Sequence, residues 1–208
     1  MSQDAFERVL PGARKTNKRH ILRCALECFL EHGLESTTIE IIRHRAGVSV
    51  GTIYHHFGKK EGLVAALFFA ALDDHKALMW PELEKATTPR TAIEQLVKSY
   101  IGWVTQEPEL ARFMFLARAS VAAGPHGVTL MLRNREQYAF LQTWLAKGVK
   151  LGQIRPLPKE TYASLLVGQA ENYCRAWLSG RVPTSPNDHA TVFAEAAWRS
   201  LATNPRRK

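Results

Sequence analysis

Between Thr37 and Lys60 the chain reads T-T-I-E-I-I-R-H-R-A-G-V-S-V-G-T-I-Y-H-H-F-G-K-K. Its second half gathers Ser49, Val50, Gly51, Thr52, Tyr54, His55 and His56, a mix of small hydrogen-bonding groups, one phenol and two imidazoles. Helical spacing sends Ile42, Ala46, Val48, Ile53 and Phe57 to a packing face and leaves those seven on the other side. A short helix with such a face, entered N-terminus first, suits the base edges of a DNA major groove. Thr52 and Tyr54 can donate to phosphate oxygens and Lys60 adds charge. The start of the preceding helix offers free N–H groups beside Thr37 and Thr38. Taken singly, each of these side chains is equally explained as solvated surface; the combination favours a DNA reader.

Two other constellations merit weighing. Cys24, Cys28 and His32 stand at i, i+4 and i+8, a spacing that can hold a metal or a redox centre. The two cysteines, however, occupy positions where apolar packing residues belong, and His32 adjoins the helix end, so no metal site and no cofactor is expected. His126, Glu171 and Tyr173 offer acid and base groups. No G-x-S-x-G, H-E-x-x-H or phosphate loop accompanies them, so no catalytic residue is assigned and the chain is not read as an enzyme.

The elements that position these groups all read as helices. From Asn17 the residues Ile21, Leu22, Ala25, Phe29 and Leu30 recur at helical period, with Gly33 as a left-handed cap. Thr37 and Glu40 form a T-x-x-E capping box for a second helix, which Gly47 ends; Ser49 caps a third, which Gly58 ends. A long fourth helix runs from Glu61 to Met79, stopped by Pro81. Further helices span roughly 91–106, 108–120, 128–151, 159–179 and 187–203. Residues 1–16 show no clear period and lead into the cations Arg14, Lys15, Lys18, Arg19 and Arg23; they are read as a flexible basic arm.

The segment closely resembles the TetR family of bacterial regulators: T-T-I-x-x-I, then A-G-V-S-x-G-T-I-Y-x-H-F, then K-E-x-L. The resemblance implies an all-α chain of about nine helices. A three-helix helix-turn-helix domain at 17–60 would precede a helical effector-binding and dimerisation domain at 61–208. It further implies that Thr38 braces phosphates, that Val50 to Thr52 and Tyr54 to His56 face the groove, and that Lys60 touches the backbone. Arg43 departs from the family's small residue at a helix contact, and its side chain is expected to snorkel outward toward phosphate. Lys59 replaces a small polar cap, which a nearby phosphate would explain.

By the same resemblance, helices four to eight enclose a ligand cavity. Trp80, Trp103, Phe113, Phe115 and Tyr138 are candidates to line it, with Met114, Phe140 and Trp144 nearby, although such aromatics equally form solid core. His126, Gln169, Asn172 and Tyr173, with Asn134 and Gln137, are candidate polar contacts, since an apolar pocket needs a few oriented polar groups. The last two long helices imply a four-helix homodimer interface, with Ala163, Val167, Ala170, Cys174, Trp177, Phe193, Ala197 and Leu201 as candidates.

Composition bounds the rest. With 208 residues, 46% hydrophobic, the chain can bury a core without a metal or disulfide. A formal charge of +9 favours polyanionic partners. The first ten residues lack a signal-peptide core, no stretch approaches a membrane span, and three cysteines suit a reducing compartment. The expectation is a cytoplasmic dimer on a palindromic DNA operator, most simply a repressor released by a small apolar or amphipathic molecule, with no membrane partner. The alternatives are a sequence-indifferent binder of DNA that uses the basic arm and the tail Arg206, Arg207 and Lys208, and a helical small-molecule enzyme.

Overall fold

A computed structural model of the chain describes residues 4–203, apart from the side chain of Gln137; the tail cations Arg206 to Lys208 lie outside the described residues. The described residues form ten α-helices: α1 (Ala5–Val9), α2 (Thr16–Ser36), α3 (Ile39–Ala46), α4 (Val50–Phe57), α5 (Lys60–Glu84), α6 (Pro89–Gln106), α7 (Pro108–Ala123), α8 (Gly127–Lys150), α9 (Thr161–Leu178) and α10 (Ala190–Leu201). Two short 3-10 turns, Ala13–Lys15 and Pro186–His189, lead into α2 and α10. Among the described residues the nearest approach to a sheet is an isolated bridge between Ile154 and Ala202.

The helix breaks fall close to the residues that predict them. Gly47 adopts the left-handed region (φ 63, ψ 31) and its N–H returns to the carbonyls of Arg43 and His44, a conformation that a side chain would strain. Gly33 (φ 80, ψ 166) kinks α2 but does not end it, and a last turn runs on to Ser36. Pro81 likewise lies inside α5, which continues to Glu84, so the expected stop at that residue is corrected.

The chain folds as two compact units, and their boundary differs from the division at residue 60. The first unit comprises residues up to Ala77 together with Glu107–Asn134; the second comprises Leu78–Gln106 and Arg135–Lys208. In the first, α2 packs against α1, α3 and α7, and α3 against α4. Phe29 of α2 meets Phe113 of α7 with ring centroids 5.6 Å apart, while Ile21, Leu22, Ile42 and Ile53 are fully buried. In the second, α6, α9 and α10 pack mutually. Ile93, Val97 and Ile101 of α6 join Ala170, Cys174, Ala194 and Leu201 among its buried residues.

The expected flexible arm is also corrected. Ala5 and Phe6 are buried, Phe6 lies under the Arg23 guanidinium, and Arg23 pairs with Asp4. Arg8 grips the fully buried carboxylate of Asp74 through two nitrogens, at 2.8 and 3.1 Å, and reaches Glu107 at 2.7 Å. A bidentate pair of this kind holds geometry as well as charge. The bond to Asp74 foremost, and then Glu107, raises the Arg8 pKa against the opposing effect of burial.

Candidate nucleic-acid interface

The surface begins with the turn between α3 and α4. Thr38 precedes α3, and its Oγ1 accepts the N–H of Ile41 at 3.3 Å. Ser49 precedes α4, and its Oγ accepts the N–H of Thr52 at 3.1 Å while meeting the Thr52 hydroxyl at 2.9 Å. Each cap satisfies one of the backbone donors that a helix start leaves open. Between the two caps, Val48 donates its N–H to the Arg43 carbonyl, closing the bend. Ile42, Ala46, Ile53 and Phe57 are buried beneath, so the small helix pair has one apolar side and one bare side.

On the bare side of α4 and its cap, Ser49, Gly51, Tyr54, His55 and His56 are exposed, with Val50 and Thr52 half-buried. Tyr54 stands 50% exposed, among the large side chains that the fold leaves open to solvent. The His55 and His56 rings meet edge to face at 5.2 Å. Partial desolvation foremost, and then the charges of His55, Lys18 and Lys15, hold the His56 pKa below the ordinary imidazole value. Thr38 is exposed, and Arg43 is half-buried with its guanidinium paired to Glu40 one turn back. Lys59 is exposed.

Two of the expected contacts are placed differently. Thr37 is fully buried, its hydroxyl donating to the carbonyls of Cys28 at 3.0 Å and Gly33 at 2.7 Å. It secures the kinked end of α2 and is not available to DNA; the capping role passes to Thr38, and Glu40 turns to Arg43. Lys60 donates to the Glu35 carbonyl at 3.1 Å, so it braces α5 against the end of α2. Sequence reasoning missed Lys18, whose Nζ lies 5.6 Å over the Phe57 ring at the end of α4. The basic run flags it, but that run reads as a flexible arm leading into the first helix.

The rival chemistries find a different setting. Cys24 and Cys28 are buried and desolvation raises their thiol pKa values, which keeps them protonated. Among the described residues no group of three His, Cys, Asp or Glu side chains is placed to hold a metal ion.

The aromatic candidates for a ligand cavity divide between the units. In the first unit Phe113 is fully buried core and Phe115 is half-buried. His126 lines a cavity of about 90 Å³ with Glu61, Val64, Ala65, Ser120 and Val121. In the second unit Trp103 is buried and Tyr138 half-buried, while Trp80 lies 4.8 Å from Phe140. Gln169 and Asn172 are exposed, and the Tyr173 hydroxyl is 2.6 Å from that of Thr184. Phe113 and Trp103 are thus buried, as both core residues and the lining of an enclosed cavity would be.

Residues 21–67, from α2 to early α5, match the family described as bacterial regulatory proteins, tetR family. Over that stretch, about a quarter of its length, the chain is similar to the TetR family. It is similar to the HTH-type transcriptional repressor AcnR of Corynebacterium glutamicum, 47% identical over 60 residues, covering 28% of this chain and 32% of that protein. The chain thus spans about a third of the length of that relative. The HTH-type transcriptional repressor KstR2 of Mycobacterium tuberculosis is 25% identical over 145 residues, 70% of this chain and 72% of that one. The crystal structure of a TetR family transcription regulator from Marinobacter aquaeolei VT8 superposes with a TM-score of 0.78 at 21% identity, covering 92% and 98% of the two chains, a likeness of fold.

The expected dimer residues separate into two groups. Ala170, Cys174, Ala197 and Leu201 are buried within a single protomer, and burial pushes the Cys174 thiol pKa up to about 12. They pack the second unit's own core and are not open to a second copy, which corrects that part of the assignment. Ala163, Val167, Trp177 and Phe193 remain half-buried, and Val192 of α10 is 64% exposed.

Proposed function

We propose that this chain is a TetR-type, sequence-specific transcriptional repressor that binds a palindromic operator as a homodimer and leaves it when a small molecule binds. The observation that carries the reading is the bare polar side of α4, fixed from beneath by Ile53 and Phe57 and capped at its start by Ser49. A helix eight residues long has little to gain from exposing a phenol and two imidazoles unless another surface receives them. Thr38 and the open N–H groups at the start of α3 would steady the phosphates, and Arg43 can exchange Glu40 for one, since an exposed pair is weak.

Dimerisation gives two such helices the separation of about 34–36 Å that successive major grooves require. The half-buried Val167, Trp177 and Phe193 with the exposed Val192 supply an apolar surface on α9 and α10 for the second copy. A small apolar or amphipathic molecule within the helical domain would alter that separation. The protein then works in the cytoplasm, where DNA is, with no membrane partner; among the described residues no helix is long and apolar enough to cross a membrane.

Selection of bound fragments from random duplex DNA tests the proposal. The expected result is an inverted repeat with half-sites about one helical turn apart. Enrichment without any shared sequence would favour the charge-driven, sequence-indifferent binder instead.

A further inference from the structure

From Arg14 to Arg23 the chain carries Arg14, Lys15, Lys18, Arg19 and Arg23 and no acidic residue. The fold uses part of this charge internally. Arg19 donates to the carbonyls of Leu10 at 2.7 Å and Gly12 at 2.9 Å, and Arg23 pairs with Asp4. Arg14 and Lys15 are exposed and Lys18 is half-buried.

These cations are held in place. Phe6 is buried beneath Arg23 and Arg8 is bound to Asp74 and Glu107, so the chain enters α2 along a fixed path. The first turn of α2 consequently lies alongside the end of α4. Lys18 Nζ sits 5.6 Å above the ring of Phe57, the residue that follows His55 and His56. Lys15, exposed, stands three residues before Lys18, at the point where the chain enters α2. A duplex seated on Tyr54 and His56 would bring flanking phosphates toward the Lys18 ammonium and the neighbouring start of α2, where attraction acts over a Debye length of about 8–10 Å.

We propose that Lys15 and Lys18 form a second contact surface for duplex DNA, holding phosphates that flank the groove entered by α4. The inference rests on the DNA-binding reading and extends it to residues outside the helix-turn-helix. The chemistry is that of compact point charges, which bind phosphate oxygens without regard to base identity. Each contact releases condensed counterions from the duplex and steepens the dependence of affinity on salt.

The test uses the full chain and its Lys15→Gln/Lys18→Gln variant, titrated by fluorescence anisotropy between 50 and 300 mM KCl. The probes are the duplex selected by the wild type and a scrambled duplex of equal length. Loss of two phosphate contacts per protomer, four in the proposed dimer, should make the slope of log K against log salt shallower by about 3.6. Affinity for both duplexes should fall by the same factor, on the order of a hundredfold to a thousandfold near physiological salt, and Lys15→Arg/Lys18→Arg should restore it. Weaker binding with an unchanged slope would mean that Lys18 acts only through its packing on Phe57, and would overturn the proposal. So would unequal loss on the two duplexes. A wild type that binds both duplexes alike refutes the sequence-specific reading alone, because the slope comparison still stands on either duplex.

Discussion

Helices α4 and α10 are built alike and used differently. Each is short, with a strongly apolar side: Ile53 and Phe57 in α4, Ala194, Ala197 and Leu201 in α10. The apolar side of α4 has one destination, the shallow core under α3, because Ser49 and Gly58 bound the helix closely and leave it few neighbours. The apolar side of α10 packs on α6 and α9 of its own protomer, although the same stripe equally suits a second copy. What remains bare also differs: hydroxyl, phenol and imidazole groups on α4, and Val192 with Arg199 on α10. A periodic stripe therefore identifies a buried face without naming its partner. Caps and glycines identify the outward face only where they leave a helix one way to pack.

The largest effects should come from the two buried sides. Ile53→Ala and Leu201→Ala each remove a fully buried side chain, and urea unfolding should show a loss of about 2–5 kcal/mol for both. Were Leu201→Ala to weaken self-association while leaving protomer stability unchanged, α10 would be facing a second copy and the contrast with α4 would collapse.

A smaller effect is expected at the cap. Ser49→Ala removes the acceptor for the Thr52 N–H and should lower stability by about 1 kcal/mol in the same assay. Helix α10 has no side-chain cap of its own and is entered through the Pro186–His189 turn. The cost at Ser49 thus measures how far α4 depends on local punctuation; no loss would show that packing alone sets its start.

The smallest effect is one of pH. In the free protein His56 is held below the ordinary imidazole value of 6.5, first by burial and then by His55, Lys18 and Lys15. Phosphate nearby favours the charged ring, so binding takes up a proton and affinity rises as pH falls. An increase of about twofold between pH 7.5 and 6, absent in His56→Gln, is the expected result. Weaker binding at the lower pH would place His56 away from the phosphates.

Much of this was legible from local sequence. The bend at Gly47, the cap at Ser49 and the buried set Ile42, Ala46, Ile53 and Phe57 depend on near neighbours, and they stand where spacing puts them. Thr37 and Thr38 show the limit of such reasoning. Either can cap a helix, and the choice falls to Thr38 because the kink at Gly33 leaves carbonyls of α2 that the Thr37 hydroxyl satisfies. Helix α1 was out of reach for another reason. Five residues carry too little period, and Arg8 finds its partners 66 and 99 residues away. The packing of α10 onto α6 is likewise a matter of tertiary pairing that no local spacing contains.

The central claim is that the bare side of α4 meets duplex DNA, and Tyr54→Ala tests it most directly. The side chain is half exposed and supports no core, so thermal unfolding should be unchanged while anisotropy titration on the selected duplex shows affinity reduced about a hundredfold. Wild-type affinity in a folded Tyr54→Ala protein would contradict the account.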